Sequence, residues 1–291
     1  TGKTTVAVSL ALSLAEERPL FLDCDVEEPN AALFLRPTIA ERRQVGVLIP
    51  QVDFGKCTTC GRCAEVCQYH AIAVVGEKVL IFPELCHGCG SCTLNCPTEA
   101  IREVLHVTGT IERGRAGSVE FAQGTMNVGE PMAVPIIRQL KRWAISADTD
   151  GRPVILDAPP GTACPVVESM RGADFVLLVT EPTPFGLHDL RLAVEVTREV
   201  RASRGTPLPV GVVINRDGVG DRGVEEYCAA ESIPILMRIP HDRRIAEAYS
   251  DGVPLVEALP EYRGRFRRLY RRIERLGIRP IQGSGQSLRF G

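Results

Sequence analysis

An α/β fold is predicted for this chain: a doubly wound, mostly parallel sheet into which a small α+β unit is inserted. Three observations carry that expectation. Short apolar strands alternate with helical stretches along most of the sequence, the pattern of a parallel sheet covered on both faces. A Gly-Lys-Thr-Thr turn feeds a helix at the start, and two later strands end in aspartate. Between those two acidic strand ends, the texture changes to a doubled run of cysteines.

The 291 residues suit one large domain or two, with ample material for a buried core. Hydrophobic residues at 44% and charged residues at 24% are ordinary for a soluble globular chain. A net charge of −2 argues against non-specific nucleic-acid binding as the main task. No apolar run approaches the ~20 residues of a membrane span. Eleven cysteines is high, and eight fall in two tight groups. That pattern points to metal ligation in a reducing, cytoplasmic setting rather than to disulfides.

Thr1-Gly2-Lys3-Thr4-Thr5 is the downstream half of a phosphate-binding loop, G-x-x-x-x-G-K-[ST], and residues 6–17 read as the helix that it feeds. Glycine lets backbone N–H groups curl around phosphates, and the helix N-terminus adds partial positive charge. Lys3 then reaches the β/γ-phosphates, and the Thr4 hydroxyl ligates Mg²⁺. The earlier glycines of the motif and the strand before them are not in the sequence. The expectation is an N-terminally truncated fragment that binds ATP poorly by itself.

Residues 19–23 form a short apolar strand ending in Asp23-Cys24-Asp25-Val26-Glu27-Glu28-Pro29-Asn30. Carboxylates at the C-terminal end of a parallel strand stand where open α/β sheets bind ligands. A solvated acidic turn is the alternative; two aspartates shortly downstream of Lys3 favour function.

Cys57, Cys60, Cys63 and Cys67 spell C-x₂-C-x₂-C-x₃-C, and Cys86, Cys89, Cys92 and Cys96 repeat it 29 residues on (86 − 57, 96 − 67). Gly61 and Gly90 obey the same offset, as do Ala71-Ile72 and Ala100-Ile101. Three closely spaced thiolates wrap one cluster and the fourth reaches across to the other. Cys57, Cys60, Cys63 and Cys96 are thus assigned to one [4Fe–4S] cluster, and Cys86, Cys89, Cys92 and Cys67 to a second. The glycines let backbone N–H groups approach inorganic sulfur. Zinc is the alternative, but its sites usually pair two C-x₂-C knuckles. These residues resemble the bacterial two-cluster ferredoxin over roughly residues 52–104. Pro97 follows Cys96 as in that pattern, whereas Gln68 follows Cys67, which changes a cluster's surroundings and not its ligation.

Residues 102–120 read as two short strands around a Gly-rich turn at 113–117, residues 124–131 as a loop, and 134–143 as a helix. Val154-Ile155-Leu156-Asp157 is an apolar strand ending in acid, followed by Ala158-Pro159-Pro160-Gly161-Thr162. An aspartate there holds Mg²⁺ through water, and the Pro-Pro-Gly turn sets a backbone N–H where a γ-phosphate sits. Strands at 175–180, 210–214 and 235–238 follow, with helices at 187–204 and 222–230 between them. Asn215 ends one strand, and Pro240-His241-Asp242 follows the last. Both lie on the ligand edge; turn and helix-cap roles are the equal alternative. Residues 261–275 are arginine-rich, with Tyr262, Phe266, Leu269, Tyr270 and Ile273 on one helical face. A terminal helix packed on the sheet is expected in preference to a membrane-surface helix. Cys24, Cys164 and Cys228 read as small buried hydrophobes, with a redox role as the alternative.

Together the Gly2-to-Thr5 turn, the stretch from Leu22 to Asn30, Asp157-Ala158-Pro159-Pro160-Gly161 and Asn215-Arg216 resemble the MinD/ParA/Mrp class of deviant-Walker P-loop ATPases, in the form carrying an inserted ferredoxin domain. The division implied is 1–51 and 105–278 for the ATPase domain, 52–104 for the insert and 279–291 for a flexible tail. The resemblance implies a slow, partner-stimulated, Mg²⁺-dependent ATPase that forms a homodimer on binding ATP. In it Lys3 binds phosphates, Thr4 and Asp157 hold Mg²⁺, Asp25 orients the attacking water, Asp23 supports the metal shell and Asn215 contacts adenine. Gly2, Thr5, Gly161, Pro240 and Asp242 complete the MgATP site. The favoured function is coupling of nucleotide state to electron transfer through two [4Fe–4S] clusters to a redox partner protein. Assembly or delivery of Fe–S clusters to an acceptor, and a ParA- or MinD-like positioning switch with structural or sensing clusters, are the alternatives. Neither a specific nucleic acid nor a transmembrane segment is expected.

Overall fold

The computed structural model describes residues 1–145, 151–200 and 207–277. In chain order the elements are α1 (Lys3–Ser13), β1 (Leu20–Asp23), α2 (Ala31–Leu35), β2 (Thr38–Val52), α3 (Arg62–Glu65), β3 (Ile72–Val75), β4 (Lys78–Ile81), α4 (Ser91–Leu94), β5 (Ile101–Ala116) and β6 (Val119–Met126). They continue with α5 (Val134–Ala144), β7 (Val154–Asp157), α6 (Cys164–Met170), β8 (Val176–Thr180), α7 (Pro184–Glu199), β9 (Val210–Asp217), α8 (Gly223–Ala230), β10 (Ile235–Pro240), α9 (Arg243–Ser250), α10 (Leu255–Ala258) and α11 (Glu261–Gly277).

The architecture is mixed α/β with a parallel-rich centre. β1 pairs in parallel with β6 on one side and β7 on the other, and β8, β9 and β10 pair in parallel among themselves. Among the described residues, the strands of the expected doubly wound sheet fall in two hydrogen-bonded sets, of order β2-β5-β6-β1-β7 and β10-β9-β8, with β3 and β4 forming a separate pair. Helix α1 spans both, since Val6 and Leu10 share one apolar cluster with Ile155 of β7, Leu177 and Val179 of β8 and Val213 of β9. A helix that buries Val6, Val8, Leu10 and Ala11 has little exposed face, which is why its sequence is apolar almost all round. It stops earlier than the sequence implied. The Leu14 amide bonds both Leu10 O and Ala11 O at 3.1 Å, and a left-handed Arg18 (φ 49°) closes the short 3₁₀ turn that follows.

Every residue of β1 is buried. Phe21 stacks on Phe121 of β6 with ring centroids 6.1 Å apart, each ring contributing about 1.5–3 kcal/mol by burial. Leu22, Cys24 and Val26 meet Ile136, Ile137 and Leu140 of α5 on the opposite side. Helix α11 docks as expected, burying Tyr262, Phe266 and Leu269 against α1 and β10. Its arginines also bond backbone carbonyls: Arg263 to Leu12 O, Arg267 to Ser13 O and Arg272 to Leu236 O. The helix expected over 187–204 starts earlier, at Pro184, and residues 201–206 lie outside the described residues, as does the expected tail at 279–291.

The largest departure from expectation is a long antiparallel ribbon. β2 and β5 pair from Thr38↔Arg115 to Val52↔Ile101, and at ~3.4 Å per residue the ladder runs roughly 50 Å. Residues 102–116 are therefore one strand, not two. The reversal falls at Gly117 (φ 59°), and Gly114 lies inside the strand, where its backbone passes too close to Thr38 for any side chain. The loop expected at 124–131 begins late, because β6 continues to Met126. From Ile101 to Thr108, β5 has β2 as its sole strand partner among the described residues. The far end of the ribbon carries the cysteine-rich segment: α3, α4 and the β3/β4 hairpin, around an apolar cluster of Ile72, Val79, Cys92 and Ile101.

Candidate functional site

Gly2 precedes α1 in a left-handed conformation (φ 83°) that favours glycine, and a Cβ there would displace the Asn215 amide, 2.5 Å away. The first helical amide to bond backwards is that of Val6, to Gly2 O at 3.1 Å. The amides of Lys3, Thr4 and Thr5 thus point from the helix end, with its partial positive charge. Asn215, at the carboxyl end of β9, donates Nδ2 to Thr1 O at 2.9 Å. Through that bond the Asn215 side chain braces the loop.

The two acidic strand ends lie side by side. β1 and β7 pair so that Asp23 stands opposite Asp157, and both are buried. Burial pushes the Asp157 carboxyl up to about 7, helped by the Asp23 charge and opposed by a hydrogen bond from Thr4 and the charge of Lys3. Asp157 Oδ2 is buried with no hydrogen-bond partner. A hydroxyl, an orphaned carboxylate oxygen and a positive helix end fit a hard divalent cation that also touches phosphate. Thr4 and Asp157 are the residues that would hold such a cation.

Asp23 does something different. Its Oδ1 accepts from Asp25 N at 3.1 Å, and its Oδ2 accepts from Asn30 N at 3.1 Å and Ala31 N at 3.0 Å. Burial lifts it to about 6 against those bonds. It positions the loop that carries Asp25. Asp25 is half-buried and raised by burial, with the Glu28 amide and Lys3 opposing. Gly161 (φ 86°) lies in the exposed turn between β7 and α6. Pro240 ends β10, and Asp242 caps α9 by accepting from Arg244 N at 2.9 Å while also pairing with the Arg244 guanidinium.

The second constellation is the cysteines. Cys57, Cys60, Cys63 and Cys96 line one hollow together with Val52, Val79 and Ile101. Cys86 feels the charges of Cys67 and Cys89, and Cys92 that of Cys86. The duplication read in the sequence is also a duplication of backbone. Helices α3 and α4, the left-handed Gly61 and Gly90, Thr59 and Gly88, and His70 and Glu99 all recur at the 29-residue offset (90 − 61, 88 − 59, 99 − 70). Ala71 N donates to Cys67 Sγ and Ala100 N to Cys96 Sγ, each at 3.3 Å. Among the described residues no three His, Cys, Asp or Glu side chains converge as ligands of a single ion. Cubane corners each meet a different iron, so their thiolates stand apart around a hollow.

Of the remaining cysteines, Cys24 and Cys228 are buried and Cys164 is exposed at the start of α6, correcting its assignment to the interior. Burial pushes the Cys24 thiol up to about 12, so it is an inert apolar group beside the site. Sequence reasoning missed Lys141, which lies under Cys24 and donates to Glu168 O, Ser169 O and Arg171 O, closing the end of α6. Nothing in the α5 sequence marked it.

A family model described as the CobQ/CobB/MinD/ParA nucleotide binding domain matches residues 1–255. The chain is 30% identical over 260 residues to the uncharacterized protein MJ0579 of Methanocaldococcus jannaschii, covering 87% of this chain and 86% of the other. Two solved structures share the fold. The cell division ATPase MinD of Pyrococcus furiosus is 20% identical, with a TM-score of 0.54 over 94% of this chain and 93% of that one. The septum site-determining protein MinD of Pyrococcus horikoshii, complexed with Mg-ADP, is 17% identical, with a TM-score of 0.53 over 94% and 90%.

Proposed function

Because the chain belongs to the CobQ/CobB/MinD/ParA nucleotide-binding family of P-loop ATPases, we propose that its nucleotide state controls electron passage through two [4Fe–4S] clusters held by residues 52–104. The observation that carries this reading is the hollow walled by Cys57, Cys60, Cys63 and Cys96. Cys96 belongs to the second motif in sequence, yet it closes the first motif's ring, as a two-cluster ferredoxin requires. Cys86, Cys89, Cys92 and Cys67 make the reciprocal set. A segment that supplies every thiolate for both clusters favours electron relay over delivery of clusters to an acceptor.

In the ATPase domain, the Lys3 ammonium and the amides of Lys3, Thr4 and Thr5 bind the phosphates. Thr4 and Asp157 hold the cation, which supplies charge neutralisation at the β/γ-phosphates when bound. Asp25 orients the attacking water, Asp23 fixes the loop that aims it, and Gly161 shapes the turn beside the γ-phosphate. Asn215 holds the loop from β9. Redox-active clusters supply one-electron capacity; the β2/β5 ribbon joins them to the sheet whose edge carries Asp23 and Asp157.

The protein, purified anaerobically, is expected to contain about eight irons and eight acid-labile sulfides per chain. Its cluster reduction potentials or redox-partner affinity are expected to shift with MgATP, and Lys3→Ala is expected to abolish both the shift and ATP turnover. Four irons or fewer, identical potentials and partner binding with and without MgATP, or unchanged turnover in Lys3→Ala would overturn the reading.

A further inference from the structure

The two halves of the cysteine-rich segment match in backbone but not in charge. Val74 of β3 and Glu103 of β5 are equivalent positions (103 − 74 is again 29), with Val79 opposite the first and Pro50 opposite the second. Glu103 Oε1 lies 3.2 Å from where a Cβ on Gly90 would stand, so the carboxylate rests against the loop between Cys89 and Cys92. The other half has uncharged Val74 at this position. In its hollow the charged wall residue is Arg62, where the second half has Ser91; Arg62 is paired with Glu65 at 3.1 Å on the surface.

Resting on the two-cluster reading above, we propose that Glu103 sets the order in which the two clusters are reduced. The cluster on Cys86, Cys89, Cys92 and Cys67 is the harder to reduce, and the first electron settles on the cluster held by Cys57, Cys60, Cys63 and Cys96. Reduction adds one negative charge to a site, and the solvent-exposed Glu103 carboxylate against that site opposes it. Each step takes up one electron from a low-potential donor, and no bond forms or breaks. Position gives the ordering a direction. A Cβ on Gly88, beside Cys86 and Cys89, would stand 2.6 Å from Val47 Cγ1 and 3.0 Å from Leu48 O. The carboxylate-bearing half thus packs on the ribbon that leads to the ATPase sheet, so electrons run downhill away from the nucleotide site.

Holoprotein is titrated with dithionite at pH 8 and followed by electron paramagnetic resonance, after its iron content is measured. Two midpoints are expected. Glu103→Gln is expected to raise the lower one, changing the electron distribution between clusters by about tenfold, or about 59 mV for one electron, and to leave the upper one in place. Val74→Glu is expected to lower the upper one. A single midpoint in protein carrying about eight irons, or a Glu103→Gln variant whose lower midpoint does not move, overturns the ordering and leaves the two-cluster reading intact. Iron at four per chain or below overturns both. Should Val74→Glu fail to load iron, Glu103→Gln alone decides.

Discussion

Asp157→Asn is expected to stabilise the nucleotide-free protein at pH 8 while abolishing its ATP hydrolysis. The magnitude follows from the pair of carboxylates at the ends of β1 and β7. Asp157 is 3% exposed, and its pKa rises from the ordinary 3.8 to about 7. A carboxyl raised on folding favours the native state below its unfolded pKa and loses that contribution as pH climbs through the folded value. At about 1.4 kcal/mol per tenfold, ionising Asp157 in place costs about 4 kcal/mol by pH 8, and less than half of that is incurred at pH 5. Asparagine removes the cost but sets an amide N–H₂ where Oδ2 has no partner, a penalty of about 1–2 kcal/mol. The balance is a gain of about 2–3 kcal/mol at pH 8 and near zero at pH 5. Urea unfolding in magnesium-free buffer measures it through Trp143, the one tryptophan of the chain, which packs on the cluster containing Leu22 and Cys24. Mg²⁺ should stabilise the wild type at pH 8 and leave the variant unmoved. A variant less stable than wild type at both pH values, or a wild type equally stable at the two, refutes the reasoning.

Two further outcomes test the architecture. Cys96→Ser should lower iron and sulfide from about eight to about four per chain and remove the cluster of the first motif, leaving that of the second; colorimetric iron analysis reads this directly. Phe266→Ala, which empties a fully buried site between α11 and α1, should cost about 3–5 kcal/mol in urea unfolding.

The chemistry of the site was more legible than its architecture. Asp23 and Asp157 each announced themselves as the acidic end of an apolar strand, but their adjacency depends on which strands pair, and nothing local to either residue encodes it. The crossed cysteine grouping was readable because its offset repeats through glycines and alanines as well as thiolates. Glu103 was not, since its meaning appears only when Val74, its equivalent in the other repeat, is set beside it and its approach to Gly90 is known. Strand β2 escaped because residues 38–44 lie mostly exposed on the ribbon and carry no period-two alternation. Cross-strand pairs stabilise it instead: Arg42 with Glu112, Glu41 with Arg113, and Arg43 and Arg113 both stacked over Trp143 at 4.8 and 4.9 Å. Gly114 misled the placement of the turn, because glycine serves close backbone approach as readily as reversal.

The ribbon also makes the cysteine-rich segment portable. Its entry and exit, Val52 and Ile101, are partners in a single rung, so the segment begins and ends at one point in space. Severing both strands at Leu48 and Leu105, which also face each other, and sealing the cut with a two-residue turn leaves every rung below undisturbed. The excised piece takes all eight thiolates of the two motifs with it.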